Sequence, residues 1–154
     1  FFCFLCTLLT LEKHTSVCYN DKNLNYLPKR RDTMGKFVLK TVATGYKFDL
    51  KAGNGEVIAT SEVYTTEAAC KNGIESVKKN APVAAVEDQT VEGYATEKNP
   101  KFEIYKDKAD EFRFRLKAKN GQIIAVSEGY TSLKNCLNGI ESVRKNADSK
   151  VEKE

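Results

Sequence analysis

Tryptophan is absent from these 154 residues, methionine and histidine occur once each, and proline occurs three times. The one histidine, His14, lies in an N-terminal stretch unlike the rest of the chain, so the remainder has no imidazole to serve as a general base beside a nucleophile. No Gly-rich phosphate loop, no zinc-peptidase HExxH pair and no carboxylate cluster occurs, which removes the motifs of nucleotide, metalloprotease and acid–base chemistry. The longest apolar run, FFCFLCTLLTL at the N-terminus, is shorter than the ~20 residues that cross a bilayer. No basic n-region precedes it and no A-x-A site follows, so it makes a poor secretory signal. A formal net charge of +4 is a mild excess, weaker than the clustered charge typical of nucleic-acid binders, and is consistent with a soluble chain. The five cysteines form no disulfide framework by pattern. Cys70 and Cys136 hold the same place in two repeats, and a lone buried thiol per repeat suits a reducing compartment, the cytoplasm.

What the chain does have is the same segment twice. NGEVIATSEVYTTEAACKNGIESVKKNA returns as NGQIIAVSEGYTSLKNCLNGIESVRKNA, and aligning Tyr46–Ala81 with Phe112–Ala147 needs no gap and matches about 22 of 36 positions. A unit of roughly 50 residues buries little area alone, so two repeats sharing one core, related by a pseudo-two-fold axis, are expected. The organisation expected is an atypical leader over residues 1–33, a first repeat over 34–96 and a second over 97–154. Met34 is the only methionine and opens MGKFVLK directly before the first repeat, so it is expected to be the natural start. The leader also contains Cys3, Cys6, His14 and Cys18, donors of the types zinc takes, but two of them sit in a Phe/Leu run without a turn, so no metal is expected there. Gly35 is not a myristoylation site, because Leu39 stands where a hydroxyl residue is required.

Each repeat predicts strands and then a helix. Phe112, Phe114, Leu116 and Ala118 alternate with Arg113, Arg115 and Lys117, the period of a strand with one buried face. Asn120-Gly121 predicts a tight hairpin with positive φ at both residues, placing Ala118 opposite Ile123 and Leu116 opposite Ala125. The first repeat offers Tyr46, Phe48, Leu50 and Ala52, then Asn54-Gly55, with Val57 and Ala59 opposite. KFVLK and KFEIYK supply a strand before each hairpin. Thr66 and Ser132 are N-caps, and Cys70, Ile74, Val77 and Cys136, Ile140, Val143 form apolar helical stripes aimed at the sheet. Gly73 and Gly139 sit mid-helix at a cost of roughly 1 kcal/mol each relative to Ala, which implies close approach of the sheet or the other helix.

NGIESVKKNA and NGIESVRKNA, with KFEIYKDKADEFRFRLKAKNG, resemble the YegP-like family of small bacterial proteins, a domain of unknown function often found as tandem repeats. The resemblance covers about Gly35 to Lys150. It implies an α+β fold of two tandem β-β-β-α-β repeats forming a single antiparallel sheet, with helices on one face and an exchange of C-terminal strands. PVAAVEDQ would then pair with the second unit and SKVEKE with the first. The family brings no established activity and so no catalytic residue.

Among the residues themselves, Cys70 and Cys136 read as core filler, since a reactive thiol needs a neighbouring base or cation and some exposure. Glu75 and Glu141 turn away from the apolar stripe toward ion pairs with Lys79 and Lys145. The outer strand face combines Arg113, Arg115 and Lys117 with Ile124 and Val126, and in the first repeat Lys47, Lys51 and Ile58, interrupted by Asp49. Apolar groups among cations favour a partner face. Phosphates could also sit there, although the aromatic residues point the other way and leave no stacking platform. The expectation is a non-enzymatic, monomeric binding or protein-interaction module without cofactor, metal or membrane. The alternative is a weak nucleic-acid-binding module using that basic face.

Overall fold

The computed structural model describes residues 34–154. The expectations for residues 1–33, the Cys3, Cys6, His14 and Cys18 set included, lie outside the described residues. In chain order the elements are β1 (Lys36–Val42), β2 (Gly45–Lys51), β3 (Val57–Thr60), α1 (Glu67–Asn80), β4 (Ala85–Asp88), β5 (Lys101–Lys106), β6 (Phe112–Lys117), β7 (Ile123–Val126), α2 (Leu133–Asn146) and β8 (Lys150–Lys153). A single 3-10 turn, Ala81–Val83, follows α1.

The alternation in each hairpin puts large apolar groups opposite one another. Phe37 faces Leu50 and Leu39 faces Phe48, while Phe102 faces Leu116 and Ile104 faces Phe114. Fully burying such a side chain is worth about 1.5–3 kcal/mol, and all eight belong to one buried cluster that also takes in both helical stripes. Thr66 and Ser132 cap the helices, their hydroxyls accepting from Ala69 N at 3.1 Å and Asn135 N at 3.2 Å.

All eight strands join one sheet in the order β4-β5-β6-β7-β3-β2-β1-β8. It is a mixed sheet and not the antiparallel one expected: β4 runs parallel to β5, and β8 parallel to β1. A hairpin forces its two strands to run antiparallel, whereas a strand reached through a helix is released from that constraint. At the centre, β3 and β7 share one register pair, Thr60 with Val126, so side chains rather than a long ladder join the two halves there.

The hairpins differ from expectation in a way that changes their faces. Gly55 and Gly121 have φ of 88° and 82°, while Asn54 and Asn120 stay at negative φ. Gly121 N donates to Ala118 O at 2.8 Å and Ala118 N to Gln122 O at 2.9 Å, a longer loop closed by a left-handed glycine. Ile123 therefore pairs with Lys117 instead of Ala118, and the register slips between Leu116 and Lys117. Likewise Val57 pairs with Lys51, and the register slips between Leu50 and Lys51. Each slip is a bulge, with Ile124 or Ile58 as the extra residue, and a bulge re-aims the side chain it carries.

The mid-helix glycines are explained by an aromatic ring. A Cβ on Gly139 would lie 2.4 Å from the Tyr130 hydroxyl oxygen and 3.0 Å from Phe114 Cε1, and one on Gly73 would meet Tyr64 and Phe48 in the same way. Tyr130 cannot yield freely, because its ring stacks on Phe114 at 6.3 Å. We expect Gly139→Leu to lower stability by more than about 1 kcal/mol in urea melts. Gly139→Ala should also destabilise despite the helix propensity of Ala, and should become neutral or stabilising in a Tyr130→Ala background.

Candidate functional site

The face opposite the helices carries the cations expected of a nucleic-acid surface, but the strand register supplies their counter-charges. Arg115 lies across from Glu103, which in turn lies across from Glu87 on β4. Glu103 is 2 % exposed and receives Arg115 Nε at 2.5 Å, Lys117 Nζ at 2.8 Å and Lys101 Nζ at 3.1 Å. Lys101 also reaches Glu87 at 2.7 Å, and Glu87 accepts from Glu97 N and Gln89 Nε2. Burial alone would raise the Glu103 carboxyl, but hydrogen bonds from Lys117, Arg115 and Lys101 outweigh it and hold it at about 2. Arg113 pairs with Asp107 at 2.6 Å and donates to Ser127 O at 3.2 Å. The hydrogen bond to Asp107 raises Arg113 and lowers the Asp107 carboxyl.

Three cations singled out from the sequence, Arg113, Arg115 and Lys117, thus lie on one strand, Arg113 paired with Asp107, and Arg115 and Lys117 sharing Glu103. Glu103 was legible as a partner, since it alternates with Phe102 and Ile104 along β5; Glu87 was not, because its neighbour is set by a parallel pairing with no local signal. Ile58 and Ile124 are corrections: they are 7 % and 4 % exposed and belong to the core, turned inward by the bulges. Val126 is half-buried. In the first repeat Lys47 and Lys51 form no ion pair among the described residues, while Asp49, the residue that breaks the stripe, holds Lys40 at 3.0 Å and accepts from Thr60.

Cys70 and Cys136 lie in the core, as expected from the sequence. Cys70 and Cys136 are fully buried free thiols, and burial pushes Cys136 up to about 11 and Cys70 up as well. We expect neither to react with a thiol-specific reagent at pH 8 while the chain is folded, and both to react in denaturant. Glu75 and Glu141 are exposed and pair three residues on, with Lys78 at 3.8 Å and with Arg144, instead of four residues on with Lys79 and Lys145. Among the described residues no group of His, Cys, Asp and Glu could hold a metal ion, and no helix is long and apolar enough to cross a membrane.

An open groove of about 690 Å³, not foreseen from the sequence, runs between α1 and the β6–β7 hairpin. Its floor is Gly73, the Tyr64 ring and Ile124, and its walls include Asn72, Ser76 and Gln122. One wall comes from each repeat, so no local pattern announces it. A second hollow of about 580 Å³ shares Ser76, Ala118 and Asn120 with it and extends the trough to Lys79 and Lys119. Tyr64 is half-buried, and burial raises its phenol. Neither its hydroxyl nor the Asn72 amide has a hydrogen-bond partner among the described residues.

Comparison with known proteins agrees with this architecture. The model of the domain of unknown function DUF1508 matches twice, at residues 42–88 and 107–154. The UPF0339 protein YegP of Yersinia pestis is 43% identical over 122 residues, covering 79% of this chain and 96% of that protein. A UPF0339 protein of Treponema denticola is 72% identical over 47 residues, 30% of this chain and 81% of that one. The solution NMR structure of YegP from E. coli, described as a protein of unknown function, superposes with a TM-score of 0.64 at 33% identity, covering 79% of this chain and 93% of that one.

Proposed function

The chain belongs to the DUF1508 family, and from that premise we propose that it is a non-catalytic, cytoplasmic binding or protein-interaction module. The observation that carries this is the open trough walled by both repeats, lined by unpartnered polar groups over an apolar floor. Small clefts of this kind, with a few polar groups that fix orientation, are where ligands settle. Two buried free thiols suit the cytoplasm. A monomer whose two repeats act as an internal pseudo-dimer, each lending its last strand to the other, is supported by β4 beside β5 and β8 beside β1. The domain limits 34–96 and 97–154 follow from that reading.

The nucleic-acid alternative has weaker support, because Arg113 pairs with Asp107 while Arg115 and Lys117 share Glu103; Lys47 and Lys51 have no ion-pair partner among the described residues. The deciding experiment is capture from lysate on the immobilised chain, wild type against Asn72→Trp/Asn120→Trp, both exposed positions. Protein captured by the wild type and lost with the double variant supports an interaction module. Retention of random RNA or DNA that falls steeply between about 50 and about 200 mM salt and disappears in Arg113→Glu would replace it with phosphate recognition.

A further inference from the structure

The trough is polarised along its length. Glu62 stands at one end, and Lys79 with Lys119 at the other, with uncharged Asn72, Ser76 and Asn120 between them. Ala69 to Lys79 spans ten helical residues, about 15 Å, which about five residues of extended chain would cover. The groups that face this space suit a peptide backbone: the Tyr64 hydroxyl and the Asn72 amide lack partners among the described residues, and the Tyr64 ring, packed against Gly73, gives the trough an apolar floor. A nucleic acid would want cations along the whole path and would meet Glu62 at one end.

The corresponding space on the other helix is less strongly polarised: Glu128 repeats Glu62 and Lys145 repeats Lys79, but the second cation is missing. Asn138 and Ser142 repeat Asn72 and Ser76, but Gly53 stands where Lys119 does, and Glu56 where Gln122 does. Glu56 acts on Tyr130 there and raises its phenol further. The repeats therefore share a scaffold, and their rims differ in charge.

We infer that the trough between α1 and the β6–β7 hairpin receives a short extended peptide, with an acidic residue or free carboxylate toward Lys79 and Lys119 and a basic residue toward Glu62. This rests on the interaction-module proposal and names its site and ligand class.

The test is a pair of five-residue peptide pools with randomised centres and acetylated and amidated ends, one lysine–X–X–X–aspartate and one lysine–X–X–X–lysine, added to about 1 mM to the isotopically labelled full chain and followed by amide NMR. The first pool should shift the amides of Gly73, Gly121, Gln122 and Lys119, at least threefold more than the second. Lys79→Glu/Lys119→Glu, at exposed positions, should reverse that preference. No shift from either pool, or equal shifts from both, would overturn the inference. Shifts confined to the outer strand face, around Lys47 and Lys51, would also overturn it, while leaving a protein-interaction role in place. Loss of binding in the double variant without reversed preference would count against the charge polarity.

Discussion

Residues 34–96 expressed alone are expected to form a dimer that dissociates and unfolds together, with no folded monomer at low concentration. Several contacts that close residues 34–96 come from residues 97–154. The edge of β4 is paired by β5, and the edge of β1 by β8. Gly35 N donates to the Asn146 side chain at 2.7 Å, and Arg144 donates to Ala84 O at 2.7 Å. Phe37, Phe48, Phe102 and Phe114 share one core. A chain of about 60 residues buries only about 60% of its surface, which leaves little to spare once those partners are removed. A second copy can supply each of them by symmetry. Sedimentation equilibrium and melts at several concentrations provide the check. A dimer whose midpoint rises with concentration is expected. A compact, cooperatively melting monomer would show that the repeats do not complete one another.

How far the sequence could be read follows from the range of each interaction. Alternation along β6, the Asn-Gly turns and the hydroxyl caps are local signals, and they placed three strands and a helix in each repeat. The faces of Ile58 and Ile124 went wrong because a one-residue bulge inverts them without changing composition. The parallel edges, the Lys101 network and the trough each join segments from different repeats, and no periodicity reports on such pairs. Gly73 and Gly139 fall between: their cost was visible, but the ring that explains it, supplied by Tyr64 and Tyr130 ahead of the helix, was not.

Lys101→Ala is expected to be the most damaging single substitution on the outer face, lowering stability at pH 7 by about 3 kcal/mol. Lys101 is 7 % exposed and bridges two carboxylates that are each 2 % exposed. Glu103 keeps Arg115 and Lys117, but Glu87 retains only the Gln89 amide and the Glu97 N–H. In the wild type, burial presses the Glu87 carboxyl upward, and the hydrogen bond from Lys101, with those from Gln89 and Glu97, overcomes it and brings it below its ordinary value. Depressed carboxyls contribute stability that is present above the unfolded value near 4.3 and lost as pH falls through the folded value, about 2 for Glu103. Removing Lys101 reverses the sign for Glu87: an unpaired buried carboxylate destabilises at neutral pH, and protonation relieves it. Urea midpoints should therefore lie far apart for wild type and variant at pH 7 and converge toward pH 4. Lys36→Ala supplies the control, because Lys36–Glu152 is the same pair in the first repeat at 2.6 Å, with side chains 42% and 41% exposed, where an ion pair contributes little. Its midpoint should hardly move. Equal losses from the two substitutions, or a Lys101→Ala deficit that does not change with pH, would show that burial is not what makes this lysine matter.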